Sequence, residues 1–302
     1  MIPPNTHTRG ILLYLSGVAL FAANDALGKW LMGSNYSAQQ LLFVRAIGAV
    51  AVLAPIMLAA RVSFRMSGDK RLHFFRLLLQ TVDSYCFYLA TFYLPLVDVM
   101  TFYMSAPIIL TAISGLFLGE RVGRYRWSAV IVGFVGVVIA LAPGSEKSIS
   151  DNETLGAVIA LLGAVAFAIS LAMTRRLRDN NPLPLVVWQF ISGGLIGAAL
   201  CPLGWVTPTP FDFSLMLILG IVAAGCFLLI TKALALAPAS LLAPFQYSAI
   251  FWAGLFGWIW WQHEPTPRII LGNAILIASG LFVFYRERRL AVSVSDKVEQ
   301  IP

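Results

Sequence analysis

The sequence predicts an all-α membrane protein of ten transmembrane helices, arranged as two inverted five-helix repeats with both termini cytoplasmic. Three observations carry that prediction. The first is composition: of 302 residues, 59% are hydrophobic and only 12% charged, at a mean hydropathy of +0.82. A soluble domain carries about 25% charged residues, so repeated apolar blocks of about twenty residues read as bilayer-crossing helices. These blocks do not alternate in hydropathy, which speaks against a β-barrel. The second observation is the placement of Lys and Arg. The third is a similarity between the two halves at a nearly constant offset.

The spans of the first half fall at about residues 11–32, 39–60, 72–94, 98–118 and 126–142. Those of the second half fall at about 154–174, 184–203, 214–237, 240–261 and 269–286. Each stops at a polar or Pro/Gly-rich connection. In order these are "GSNYSAQ", the basic segment around Arg61 to Arg71, "LPLVD", "GERVGRYR", "PGSEKSISDNE", "RDNNPLP", "PLGWVTPTPFD", "APAS" and "HEPTPR". Pro107, Pro238 and Pro244 are expected to kink or start helices, which frees backbone carbonyls. The organisation that follows is a first repeat over residues 1–145, a second over 146–290, and a flexible cytoplasmic tail over 291–302. The N-terminus does not read as a cleaved signal, because its apolar run continues into Asn24 and Asp25 with no small-residue cleavage pattern.

With the N-terminus inside, fifteen of the 21 Lys and Arg residues fall in cytoplasmic segments. Only Lys147 and Arg268 fall outside, and Lys29, Arg45, Arg76 and Lys232 lie within spans. That bias places both termini in the cytoplasm. It also accounts for the net charge of +7, so no nucleic-acid partner is expected. An offset of 144 residues pairs Tyr103 with Tyr247, Glu120 with Glu264, Arg124 with Arg268, Ile131 with Ile275 and Gly136 with Gly280. Near the start an offset of 146 pairs Gly17 with Gly163, Phe21 with Phe167, Ala22 with Ala168 and Ala26 with Ala172. Five spans per half is an odd number, so the halves are inverted. Many secondary transporters are built this way, with the site at mid-membrane between the repeats.

The segment "APIILTAISGLFLGERVGRYRWSAVIVGFVGVVIAL" and its counterpart in the second half resemble the ten-helix EamA group of the drug/metabolite transporter superfamily, over about Gly10 to Arg289. "AANDALGKWL", "LLFVRA", "HFFRLLL" and "LALAPASLLAPFQYSAIFWAGLFGWIWWQHEPTP" resemble the branch with bacterial S-adenosylmethionine and riboflavin uptake carriers. The resemblance implies a multi-pass protein of the cytoplasmic (inner) membrane that moves a small organic metabolite by alternating access. The substrate is then zwitterionic or aromatic: S-adenosylmethionine-like, riboflavin-like or an amino acid. Export of amino acids or drugs is the alternative within the same fold. One departure is "HEPTPR" in place of "GERVGR". Glu120 and Glu264 are read as helix-end structural residues.

The polar residues inside the spans are the candidate binding set. In "FAANDALGKW", Asn24 and Asp25 are deep, and Asp25 shares a helix face with Lys29. Asn24 maps onto Ser170 and Lys29 onto Arg175, a residue at a membrane boundary. Lys29 either snorkels or serves the site. Arg76, Gln80, Asp83, Ser84, Phe87, Tyr88 and Thr91 form one helical stripe, and such a stripe faces protein or water rather than lipid. Asp83 is near mid-span. It binds substrate, carries a coupling proton, or pairs with Arg45 or Arg76 to fix packing. Arg76 can equally snorkel at the inner end. Arg45 offers a planar fork for a carboxylate. Lys232, Tyr103, Gln246 and Tyr247 complete the set, each also explicable by snorkelling or packing. Four in-span cations against two in-span acids lean towards a substrate with a negative group, without excluding a zwitterion.

Other classes find little support. No zinc-ligand pattern is present, and His7, His73 and His263 lie near span ends. No Walker motif appears, so a primary pump is disfavoured. A membrane-embedded enzyme or a receptor remains the alternative. No metal or cofactor is called for. Cys86, Cys201 and Cys226 fall within apolar blocks and read as packing residues. The expected partners are a small metabolite, the lipid bilayer, and a coupling proton or an exchanged substrate.

Overall fold

The computed structural model describes residues 4–34, 36–66, 68–94, 96–120, 122–141 and 151–261, with 270–272, 274–275, 277–279, 281–282 and 285. The regular structure of these residues is entirely helical. Among the described residues six helices are long and apolar enough to cross a membrane: Thr6–Gly33, Ala38–Ala59, Thr154–Arg176, Pro182–Leu203, Pro210–Leu236 and Ala239–Trp260. Large apolar side chains such as Leu12, Phe92 and Leu195 point outward on these and neighbouring helices, as a lipid-facing surface requires.

In chain order the elements are α1 (Pro4–Gly33), α2 (Ala38–Ala59), α3 (Lys70–Tyr93), α4 (Leu96–Tyr103), α5 (Ala106–Phe117), α6 (Arg124–Leu141), α7 (Asp151–Arg176), α8 (Pro182–Leu200), α9 (Pro210–Leu236), α10 (Ala239–Leu242) and α11 (Ser248–Trp261). A shorter apolar helix, α12, covers Ile270–Ser279. Local chemistry sets the starts. Asp69 accepts from the Arg71 amide at 2.8 Å, Asn181 from the Leu183 amide at 3.0 Å and Thr209 from the Asp212 amide at 3.1 Å. Each satisfies one of the free donors that every helix start carries. Pro182 and Pro210 open α8 and α9, where a missing amide proton costs nothing.

Two stretches read from the sequence as continuous spans are interrupted. The fourth breaks between α4 and α5, just ahead of Pro107. The ninth begins as the single turn α10, continues as a 3₁₀ segment over Ala243–Tyr247 around Pro244, and resumes as α11. The cause is common to both: a proline ring clashes with the preceding turn and removes a hydrogen-bond donor. Tyr103 and Tyr247, paired by the 144-residue offset, stand at the two breaks.

Packing also comes in related pairs. Helix α1 lies on α9, and α3 lies on α7; α2 packs on α8 and on α9, while α3 also meets α8. Glycines allow the first two crossings. A Cβ on Gly10 would meet Ala237 at 2.8 Å, and one on Gly17 would meet Ile230 at 2.9 Å. On the other pair, a Cβ on Gly156 would meet Tyr93 at 2.7 Å, and one on Gly163 would meet Cys86 at 2.9 Å. Glu264, Lys147, Arg268, His263 and the 291–302 tail lie outside the described residues.

Candidate functional site

The polar stripe on α3 turns inward and forms one wall of a small cavity of about 40 Å³ among mostly buried side chains. Helix α1 supplies Asn24 and Asp25, α2 supplies Arg45, α3 supplies Asp83, Ser84 and Tyr88, and α4 supplies Tyr103 at its broken end. The second half closes the space with Phe167, Phe227, Gln246 and Ala249. A water needs roughly 10–15 Å³ of such space, so the cavity in this state admits a few waters and not a metabolite.

Most of the polar groups are already tied together. Arg45 donates from Nη1 to the Tyr88 hydroxyl at 2.9 Å and from Nη2 to Ser84 Oγ at 3.4 Å. Its guanidinium lies 5.5 Å from the Tyr88 ring centre and 5.6 Å from that of Phe190. Tyr103 donates its hydroxyl to Asp83 Oδ1 at 2.9 Å, and Gln80 donates its amide to Asp83 Oδ2 at 3.1 Å. Ser170 on α7 donates to Gln80 Oε1 at 3.0 Å, which links α3 to the second half. Buried Tyr14 donates to Gln246 Oε1 at 2.6 Å and so aims the Gln246 amide hydrogens away from itself. Asn24 is only 3% exposed, and its Oδ1 has no hydrogen-bond partner.

Of the ten residues singled out from sequence, seven line the cavity: Asn24, Asp25, Arg45, Asp83, Tyr88, Tyr103 and Gln246. Gln80 is one bond behind, holding Asp83. Tyr247 is buried, but its hydroxyl donates to the Val130 carbonyl at 3.0 Å and its ring packs on Gly133, away from the lining. Lys232 is exposed on α9 and is not among the lining residues. Arg76 is not an end-of-helix snorkeller. It is 1% exposed and donates to the Leu185 carbonyl on α8 at 2.5 Å.

Arg175, read from sequence as a boundary residue, is 5% exposed and pairs with Glu120 at 3.2 Å. It also donates to the Leu234 carbonyl at 2.6 Å, while Glu120 accepts from the amides of Ala239 and Ser240, each at 3.1 Å. The pair therefore clasps the junction between α9 and α10.

Sequence reasoning put Phe87 on the α3 stripe but gave the rest of the aromatic wall, Phe21, Phe167 and Phe227, no site role. Phe21 and Phe167 line the cavity with their ring centres 6.4 Å apart, and Phe227 joins Phe21 at 5.4 Å. Phe87 meets Tyr103 at 5.4 Å. A signal was present, since the 146-residue offset pairs Phe21 with Phe167. Met100 and Met104, also in the lining, gave no such signal.

The family model of the EamA-like transporter family matches residues 8–142 and, a second time, residues 154–285. The chain belongs to the EamA-like transporter family. It is 25% identical over 287 residues to the S-adenosylmethionine uptake transporter of Rickettsia bellii, covering 94% of this chain and 96% of that protein. It is 31% identical over 201 residues to the riboflavin transporter of Rhizobium johnstonii, covering 65% of this chain and 64% of that protein. It is 26% identical over 274 residues to the pseudopaline exporter CntI of Pseudomonas aeruginosa, covering 89% and 94%. A solved crystal structure shares the fold at a TM-score of 0.81 and 17% identity, covering 94% of this chain and 99% of that one. Family and relatives are transporters rather than enzymes, and this family member is a multi-pass membrane protein.

Proposed function

We propose that this family member is a secondary carrier of the inner membrane that moves a small zwitterionic or aromatic metabolite by alternating access. Its site is the small cavity between two inverted five-helix repeats, residues 1–145 and 146–290, with both termini cytoplasmic. The observation that carries the reading is the cavity itself. Carboxylates and a guanidinium from α1, α2 and α3 face aromatic and amide groups from the second half, deep between apolar helices. Ionisable groups at such depth are costly and line substrate or ion pathways. The repeat is supported by the double family match, by the two broken helices at Tyr103 and Tyr247, and by the paired glycine crossings.

Geometry favours a carrier over a channel or an enzyme. The cavity holds only a few waters, so a metabolite is accommodated only if the helices around it move. The broken helices α4–α5 and α10–α11 border it and supply the bending points. In this reading Asp25, Arg45, Asp83 and Gln246 hold the polar groups of the substrate, and the aromatic wall holds its apolar body. Asp83 carries the coupling proton when transport is proton-linked. Names of relatives supply the test compounds: S-adenosylmethionine, riboflavin and pseudopaline.

The test is counterflow in proteoliposomes. A carrier exchanges external labelled substrate for internal unlabelled substrate without a gradient. An enzyme converts it, and a receptor does neither. Asp83→Asn should fold and lose exchange or its pH dependence; normal, pH-dependent exchange would remove Asp83 from the site. Export is the second reading, favoured by the likeness to the pseudopaline exporter, and oriented vesicles loaded from either side separate the two directions.

A further inference from the structure

We propose that Glu120, Arg175 and Ser240 form the inner gate of the carrier. They clasp α5 and α7 to the α9–α10 junction below the cavity, and the clasp lets go of that junction when the site opens to the cytoplasm. The inference rests on the carrier reading and topology above and names the residues that control access to the site. Three connections meet at the clasp. The α5–α6 connection brings Glu120, the end of α7 brings Arg175, and the α9–α10 junction brings Ala239 and Ser240. In the proposed topology all three are cytoplasmic. Gly119, at a φ of 64°, turns the chain so that the Glu120 amide bonds back to the Ser114 carbonyl at 3.1 Å while the carboxylate reaches α10. Arg126, near the start of α6, adds a bond to Ser240 Oγ at 3.0 Å. On α7, Arg175 lies two turns beyond the lining residue Phe167, and on α9, Leu234 lies two turns beyond Phe227. Both helices therefore put the clasp about 10–12 Å from the cavity, towards the cytoplasm. The intervening α7 residues Ser170, Leu171 and Thr174 are buried.

The way the bonds divide distinguishes a gate from a static staple. Helices α5 and α7 pack on one another, and the Glu120–Arg175 ion pair lies between them. The bonds that cross to the junction go to neutral groups: the carbonyls of Leu234 and Ala235, the amides of Ala239 and Ser240, and the Ser240 hydroxyl. If the junction swings away, the two charges keep each other, and no buried charge is left alone. The neutral groups, close to the inner interface, exchange their bonds for water at little net cost. The segment so held is also the one that reaches the site, because α10 runs through the 3₁₀ stretch to the lining residue Gln246. One movement of the broken helix therefore opens the inner layer and displaces a site residue. The opposite end is tied differently. Tyr36 bonds Asp212 at 2.6 Å, and Gln40 exchanges bonds of 2.6 and 3.1 Å with the Val206 backbone. Those bonds join helices α1 and α2 to the start of α9, on which both already pack, so they hold one body together.

The test has two arms, both in the full chain with Cys86, Cys201 and Cys226 replaced. In the first, Thr174→Cys reports on the inner layer through its reaction with a charged, membrane-impermeant methanethiosulfonate. The reagent is added to the cytoplasmic side of oriented vesicles, well below the Tm of each variant. Ser240→Ala and Glu120→Gln should each raise the rate about ten-fold or more, since each removes bonds made only in the closed state. Arg178→Gln should leave it unchanged. Ala160→Cys, also buried but in the outer half of α7, should stay unreactive throughout. In the second arm, Arg126→Cys and Ser240→Cys are bridged by a reducible bifunctional methanethiosulfonate. Counterflow of S-adenosylmethionine, riboflavin and pseudopaline is measured before and after. The bridge should stop exchange, and dithiothreitol should restore it. A bridge between Phe117→Cys and Arg176→Cys joins α5 to α7 and should leave exchange intact. Four results would overturn the gate: unchanged Thr174→Cys reactivity in Ser240→Ala, an equal rise at Ala160→Cys, full exchange across the α6–α10 bridge, or exchange stopped by both bridges. The carrier reading would then still be judged by counterflow in the unbridged protein. If the unbridged protein exchanged none of the compounds while Thr174→Cys answered to Ser240→Ala, the carrier reading would fall and the gate would stand.

Discussion

Replacing Glu120 with Gln is expected to destabilise the protein by about 3–5 kcal/mol, the usual cost of breaking a buried ion pair from one side. The structure supplies the terms. Glu120 Oε1 accepts from Arg175 Nε at 3.2 Å and from the Ala239 amide at 3.1 Å. Oε2 accepts from the Ser240 amide at 3.1 Å and the Ser240 hydroxyl at 2.8 Å. Glutamine keeps the shape but has one acceptor oxygen, so either orientation turns an NH₂ group towards backbone donors. Hydrogen bonds to charged groups contribute about 1.5–3 kcal/mol, and a helix cap about 1 kcal/mol. Arg175 would remain anchored to the Leu234 and Ala235 carbonyls, with its charge no longer balanced.

The internal control is Arg178→Gln. Its pair with Asp179 spans 3.9 Å between side chains 47% and 92% exposed, and the side chains of Arg175 and Glu120 are 5% and 12% exposed. An exposed pair contributes at most about 1 kcal/mol. Thermal unfolding in one detergent should lower Tm by roughly 10 °C for Glu120→Gln and by about 2 °C or less for Arg178→Gln. If the Glu120 variant melted with the Arg178 variant, the clasp at the α9–α10 junction would not hold that junction.

Three further perturbations follow from the packing. A Cβ on Gly220 would collide with the Arg45 carbonyl where α2 crosses α9, so Gly220→Ala should cost about 1–3 kcal/mol and weaken substrate binding by displacing Arg45, both seen in melts with and without ligand. Tyr14→Phe removes the 2.6 Å bond that orients Gln246; it should cost about 0.5–1.5 kcal/mol and reduce ligand-induced stabilisation by more than it reduces Tm of the free protein. Between α1 and α2, Tyr36 donates to Asp212 at 2.6 Å, and that bond holds its phenol above the ordinary value of 10.0. A raised folded-state value means the stabilisation is present below about pH 10 and lost as pH rises through it, so wild type should lose its advantage over Tyr36→Phe in melts above about pH 10.

Much of the fold was legible because a bilayer leaves few options. Backbone groups in hydrocarbon must bond within their own segment, so apolar runs become helices. The interruptions at Pro107 and Pro244 were legible as proline chemistry, although not their extent. The candidate site was legible on α3, where spacing alone places Gln80, Asp83, Ser84 and Tyr88 on one face. It was misjudged wherever a long side chain chose its own destination. Arg76 and Arg175 read as snorkelling or boundary residues, because sequence gives depth along a helix but not what lies beside it. Each instead finds a backbone carbonyl on a neighbouring helix, Leu185 for Arg76 and Leu234 for Arg175. Tyr103 and Tyr247 are alike in the repeat, yet one reaches Asp83 and the other the Val130 carbonyl.

Sequence by itself determined the class, the family likeness and the polar residues available to a site, since hydropathy and helical period are local properties of the chain. Tertiary structure decided which ionisable side chains share the cavity. Four in-span cations and two acids along the chain became one cation and two acids around a common space, because partners from distant helices claimed or diverted the others. That balance depends on which side chains converge, and convergence is set by helix packing between the halves.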